Sequence, residues 1–106
     1  MTTFSTHNDH SYIQKSAAGT HLQGWLDIPY KDLVAKLGEP HFGDGEKVQV
    51  EWTIEFDDGT IATIYDWKDP RSVQKIEHWH VGGFDYRAVE HVQDLFESSV
   101  AEICPF

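Results

Sequence analysis

Residues 47–56 alternate without a break, with Val48, Val50, Trp52, Ile54 and Phe56 on one side and Lys47, Gln49, Glu51, Thr53 and Glu55 on the other. Successive side chains of a strand point to opposite faces, so ten residues at period two specify a half-buried strand with one wet face. Asp57-Asp58-Gly59 follows as a hairpin turn, with Gly59 free to take positive φ. Thr60 to Trp67 runs back as a second strand. Its faces are Ile61, Thr63, Tyr65, Trp67 and Ala62, Ile64, Asp66, and periodicity does not decide which is buried. Asp69-Pro70-Arg71-Ser72 breaks the chain, and Lys75 to Val81 predicts a third strand closed by Gly82-Gly83.

Around this meander the pattern is shorter but readable. His21 to Ile28 alternates, with Leu22, Leu26 and Ile28 opposite His21, Gln23 and Asp27; Gly24 is a thin spot where another element can approach. Pro29 opens a helix carrying Leu33, Val34 and Leu37, and Gly38 stops it before Glu39-Pro40. His41 to Glu46 reads as a loop. Asp85 caps a last helix with Val89, Val92, Phe96 and Val100 as its core stripe. Tyr12-Ile13 begins a short strand, Ala17-Ala18-Gly19 turns, residues 1–11 read as flexible, and the apolar residues of 103–106 pack back. The expectation is an α+β domain spanning 1–106, in the order β-α-β-β-β-α. An antiparallel sheet of about four strands carries both helices on one face and leaves Glu51 and Glu55 in solvent on the other.

A length of 106 residues leaves room for one domain, and four Trp, four Tyr and six Phe supply a core. No apolar run approaches the roughly 20 residues that span a bilayer, and Met1 to His10 lacks the blocks of a signal peptide. The single Cys104 forms no internal disulfide, which points to a reducing compartment, and the cytoplasm of a bacterial host is the expected location. The net charge of −10 is unevenly spread. Residues 39–66 hold eight acids against Lys47, a net of −7, and residues 85–106 hold five against Arg87, a net of −4. Such a surface repels the phosphate backbone, so direct nucleic-acid binding is not expected.

Few residues form a constellation that carries chemistry. His78-Trp79-His80 places two imidazoles on one side of a strand, where Asp66 or Glu51 from a neighbouring strand could complete a metal site; two polar residues on a wet face explain the same pattern. Ser98-Ser99 lacks a nucleophile elbow, Cys104 has no His nearby in sequence, and Gly43-Asp44-Gly45 is too short for a phosphate loop. No catalytic residue, metal or cofactor is therefore assigned. Tyr65, Trp67, Lys68 and His80 could wall a small-ligand site, with Lys68 and Arg71 as local positive charge in an acidic chain. The acids themselves cluster: Glu51, Glu55, Asp57, Asp58 and Asp66 at the hairpin, and Glu90, Asp94 and Glu97 along the last helix. Helical carboxylates one turn apart repel by roughly 0.2–0.5 kcal/mol per pair, and no Lys four residues on relieves them. Solubility alone explains an acidic face; so does docking to a basic surface on another protein.

Several strings place the chain beside known sequences: Gly19-Thr20-His21-Leu22-Gln23-Gly24-Trp25, Leu37-Gly38-Glu39-Pro40, Glu51-Trp52-Thr53-Ile54-Glu55-Phe56, Ile64-Tyr65-Asp66-Trp67-Lys68 and His78-Trp79-His80-Val81-Gly82-Gly83. Over roughly residues 17–96 the chain resembles a group of short phage and prophage proteins of unknown function. The group has no assigned activity, so no functional residue carries over. The resemblance implies the company of small acidic phage proteins that inhibit host defence or host machinery, some by imitating nucleic-acid charge.

Together these readings predict a non-enzymatic phage-type inhibitor of the anti-CRISPR or anti-restriction class, monomeric or homodimeric. Its expected partner is a host protein with a basic surface, such as a defence nuclease or a nucleic-acid-handling complex. The binding residues would be Glu51, Glu55, Asp57, Asp58, Asp66, Glu90, Asp94 and Glu97. The alternative is a nucleotide-binding or sequestering protein using Tyr65, Trp67, Lys68 and His80, and the third reading a metal-dependent enzyme built on His78 and His80.

Overall fold

A computed structural model describes residues 4–7, 19–43, 45–96 and 101–103. The long alternating run forms β4 (Val50–Phe56), and the chain returns across Asp57–Gly59 into β5 (Ile61–Tyr65) and then β6 (His78–Gly83). Both pairings are antiparallel, with Trp52 opposite Ile64 and Ile64 opposite Val81. The strand β2 (His21–Asp27) pairs with the far side of β6, with an irregularity between Leu22 and Gly24. Gly24 is also where Ile103 of β7 (Ala101–Ile103) pairs, so another strand does approach at the thin spot. The sheet is larger than expected because three short strands join its edges: β1 (Phe4–His7), β3 (His41–Phe42) and β7. Four, two and three residues are too few to show a period, so pairing with β4 and β2 makes them strands. Phe4–His7, expected to be flexible, and His41–Phe42, expected in a loop, are thus both ladder residues on β4.

Both described helices lie on one face of this sheet. Helix α1 (Tyr30–Leu37) begins after Pro29 and ends at Gly38, whose φ of 86° only glycine adopts without cost. The indole N–H of Trp52 donates to Gly38 O and that of Trp79 to Ile28 O, each at 2.8 Å. Two strand tryptophans therefore hold the two ends of α1, while Tyr30 packs on both rings at 5.9 and 6.2 Å. Each such bond stabilises by about 1 kcal/mol, and leaving either buried N–H unpaired would cost more. Helix α2 (Arg87–Phe96) buries Ala88, Val89, Val92 and Leu95, with Phe96 only partly covered. Asp85 caps it, Oδ1 accepting the Arg87 N–H at 2.9 Å. The core between helices and sheet contains Leu26, Leu33, Trp52, Ile54, Phe56, Ile64, Ile76, Trp79 and Val81, all at or near zero exposure.

The second face of the sheet departs from expectation. Thr53 and Thr63 on it are buried, and Ile61 nearly so. Over its β4 side lies His41, whose Nε2 sits 3.0 Å from the Thr53 hydroxyl and 3.6 Å from Glu51 Oε2. Glu51 is accordingly mostly covered rather than solvent-facing.

Candidate functional site

Of the expected acidic residues, Asp66 is misplaced most. It continues the inner face after Ala62 and Ile64 and is fully buried. Its Oδ1 accepts the backbone N–H groups of Gln49 and Val50 at 2.8 and 3.1 Å, while Oδ2 has no hydrogen-bond partner among the described residues. Asp66 therefore holds the entry of β4 against the end of β5 and presents no charge at the surface. Glu51 leaves the acidic surface for a different reason. Burial pushes its carboxyl up to about 7, and burial pushes the His41 imidazole down. Both shifts favour the neutral form of the group over an ion pair. His41 Nδ1 faces Phe42 O at 3.3 Å, which makes Nδ1 the protonated nitrogen and Nε2 the acceptor for the Thr53 hydroxyl.

One contact links the hairpin acids to the last helix. Asp58, at the tip of the β4–β5 turn, accepts the Thr60 N–H at 2.9 Å and meets His91 Nε2 of α2 at 2.7 Å. The Thr60 backbone bond, then His91, holds its carboxyl below the usual carboxylate range. This contact sets the hairpin tip against the helix, so two acidic blocks 33 residues apart in sequence become neighbours. Asp57, Asp58, Glu90 and Asp94 are exposed, and Glu55 is half-buried. Glu97 lies outside the described residues, as do Ser98, Ser99, Val100 and Cys104. Between tip and helix runs a cleft of about 150 Å³ lined by Asp58, Gly59, Thr60, Ile61, Phe84, Asp85 and Arg87. Phe84, on its lining, and Tyr86, between Asp85 and Arg87 in sequence, are 52% and 57% exposed. Sequence reasoning passed over both; two aromatics flanking a helix cap in a polar segment were the available signal.

At the other end of β5 the four residues of the alternative site do come together. His80 lies 5.5 Å from Tyr65, 6.3 Å from Trp67 and 6.4 Å from Trp25, ring centre to ring centre. Lys68 and Lys47 place their ammoniums 5.6 and 5.9 Å from the Trp67 ring. Burial, then the neighbouring His78, lowers the His80 pKa. His78 itself bonds Asp27 across the β2–β6 pair. Arg71, expected to add positive charge here, is instead engaged with Asp69, and that pairing holds the Asp69 carboxyl at about 2. Asp66 faces the core and cannot join the histidines as a ligand. Among the described residues no three His, Cys, Asp or Glu side chains gather as a metal site requires. No described helix is long and apolar enough to cross a membrane. No family model matches the chain, and no curated protein or solved structure matches it either.

Proposed function

We propose that this chain is a non-enzymatic binding protein that docks its acidic edge onto a basic surface of a partner protein. One observation carries the reading: the Asp58–His91 contact joins the hairpin acids and the helix acids into a single edge. A surface of one sign steers a partner of the other, and exposed aromatics set in a polar rim are the usual anchors of protein interfaces. Phe84 and Tyr86 occupy that position here. Inhibitors of nucleic-acid-handling enzymes, including the phage-encoded anti-CRISPR and anti-restriction kinds, face such basic surfaces.

The test is affinity capture from bacterial host lysate at low and high salt, with the wild type beside an Asp57→Asn, Glu90→Gln, Asp94→Gln variant and a Tyr86→Ala variant. Expected is a basic nucleic-acid-handling protein retained at low salt, lost at high salt, and depleted roughly tenfold or more by either variant. Capture that ignores both salt and the variants would remove the acidic edge as the contact surface.

A further inference from the structure

The strand β1 closes one end of the sheet and pairs with β4 alone among the described strands. Which of its backbone groups stay open follows from the pleat. Phe56 N donates to Thr60 O, so Phe56 and, two residues back, Ile54 turn their backbone groups toward β5. Glu55 and Thr53 turn theirs to β1, where they face Ser5 and His7. Phe4 and Thr6 then aim their N–H and C=O groups away from the sheet, with no ladder partner among the described residues. Ser5 and Thr6 are exposed, so this edge is approachable. Edge strands are ordinarily guarded against pairing by a charged side chain, a proline or a bulge. None of these guards β1: residues 1–8 contain no Asp, Glu, Lys, Arg or Pro, and the register with β4 runs unbroken from Phe4 to His7. At the other end of the sheet, β7 is three residues long and carries Glu102.

We propose that β1 pairs antiparallel with β1 of a second copy of this chain, about a two-fold axis at Ser5, joining two sheets into one. Directly opposite residues of a ladder share a face, so only registers that match positions of equal parity are open. Centring on Ser5 sets Phe4 of each copy opposite Thr6 of the other, and these are the two residues whose backbone groups point outward. Both Phe4–Thr6 pairs then exchange N–H and C=O bonds, and an aromatic opposite a β-branched residue is a favourable cross-strand pair. Charge selects a second copy for this edge. The chain carries −10, but no like charges meet across the new ladder, and Glu55, the nearest acid, stands one strand further in. Phe4 lies opposite Phe56, so the acidic turn at Asp57 and Asp58 projects past the Phe4 end of β1. Antiparallel pairing sends the two turns to opposite ends of the joined sheet. A rise of ~3.4 Å per residue and a spacing of ~4.8 Å per strand put them about 20 Å apart. That is beyond the Debye length of roughly 8 Å at physiological salt, so their repulsion is largely screened. The pair presents one acidic turn at each end.

Sedimentation equilibrium of the full chain at physiological salt, from about 10 µM to 1 mM, reads the association directly. So short a ladder makes a weak dimer, and a Kd of about 10–500 µM is expected. Thr6→Pro removes an N–H that points away from β4, a place where an edge strand tolerates proline. It should weaken the dimer roughly tenfold or more while the melting temperature of the monomer stays unchanged. Cysteine cross-linking in a Cys104→Ser background tests the register without that substitution. Ser5→Cys faces its own copy across the axis, whereas Thr6→Cys faces Phe4, so Ser5→Cys should form disulfide dimers at least roughly tenfold faster under mild oxidation. A monomer mass at every concentration, a dimer that Thr6→Pro leaves intact, or cross-linking no faster at Ser5 than at Thr6 overturns the proposal. No other protein is present in these measurements, so the docking of the acidic edge is tested separately.

Discussion

Glu51 shows how position rather than residue type fixes a charge. The folded chain keeps its proton up to about pH 7, whereas the unfolded chain releases it near the ordinary value of 4.5. Between those values the folded state binds more protons, so this contribution to stability falls as pH rises and levels off above 7. His41 acts in the opposite sense: its folded pKa is lowered, so the unfolded chain takes up a proton first and stability rises with pH toward 6.5. Comparing wild type with Glu51→Gln isolates the first effect. Chemical denaturation at pH 5 and pH 8 should show the stability difference, wild type minus variant, becoming on the order of 1–3 kcal/mol less favourable to wild type at the higher pH. A difference that stays constant across this range would mean that Glu51 ionises normally. Asp66 is the companion case, a carboxylate spent on two backbone amides inside the protein. Both residues looked like surface acids because alternation says which side of a strand a residue occupies, not whether that side is covered.

At the scale of elements, the close approach of α2 to the sheet rests on Gly83. A Cβ there would stand 2.4 Å from the Ala88 Cβ and 3.2 Å from Ile61 O. Gly83→Ala should therefore destabilise by about 1–3 kcal/mol in urea unfolding, the usual cost of overpacking. Ala88→Gly alone should cost about 1 kcal/mol in helix propensity, yet in the Gly83→Ala background it should recover part of the loss. Strict additivity of the two changes would show that the helix had already moved away. The meander β4–β5–β6, the strand β2 and both helices were legible from periodicity, Pro29, Gly38 and Asp85. Gly82-Gly83 was read as the end of a strand but belongs to it, since glycine there serves close packing and pairs with Thr63 and Ala62. The strands β1, β3 and β7 were not legible, because a ladder partner creates an edge strand of two to four residues and local pattern does not.

For the molecule as a whole, −10 charges on a sheet domain with principal extents of 34 × 32 × 29 Å repel one another. Screening that repulsion should raise the melting temperature by about 2–5 °C between 20 and 500 mM sodium chloride, read by circular dichroism. A flat or falling response would mean that the contacts of Asp58, Asp69 and Asp85 with His91, Arg71 and Arg87 already offset the net charge locally. The layout of charge is polar in the geometric sense. Asp57 and Asp58 sit at the turn end of the β4–β5 hairpin, and Lys47 and Lys68 meet over Trp67 at the other.

By itself the sequence determined the class of fold, the central meander, the packed face of β4 and the separation of charge into blocks, because alternation, turn residues and net charge are local properties. Only the tertiary structure decided which acids remain acids at the surface, that Asp58 and His91 join two distant blocks, and that Lys47 meets Lys68 over Trp67. Each of these depends on residues far apart in the chain arriving side by side, and on the solvent that their neighbours exclude.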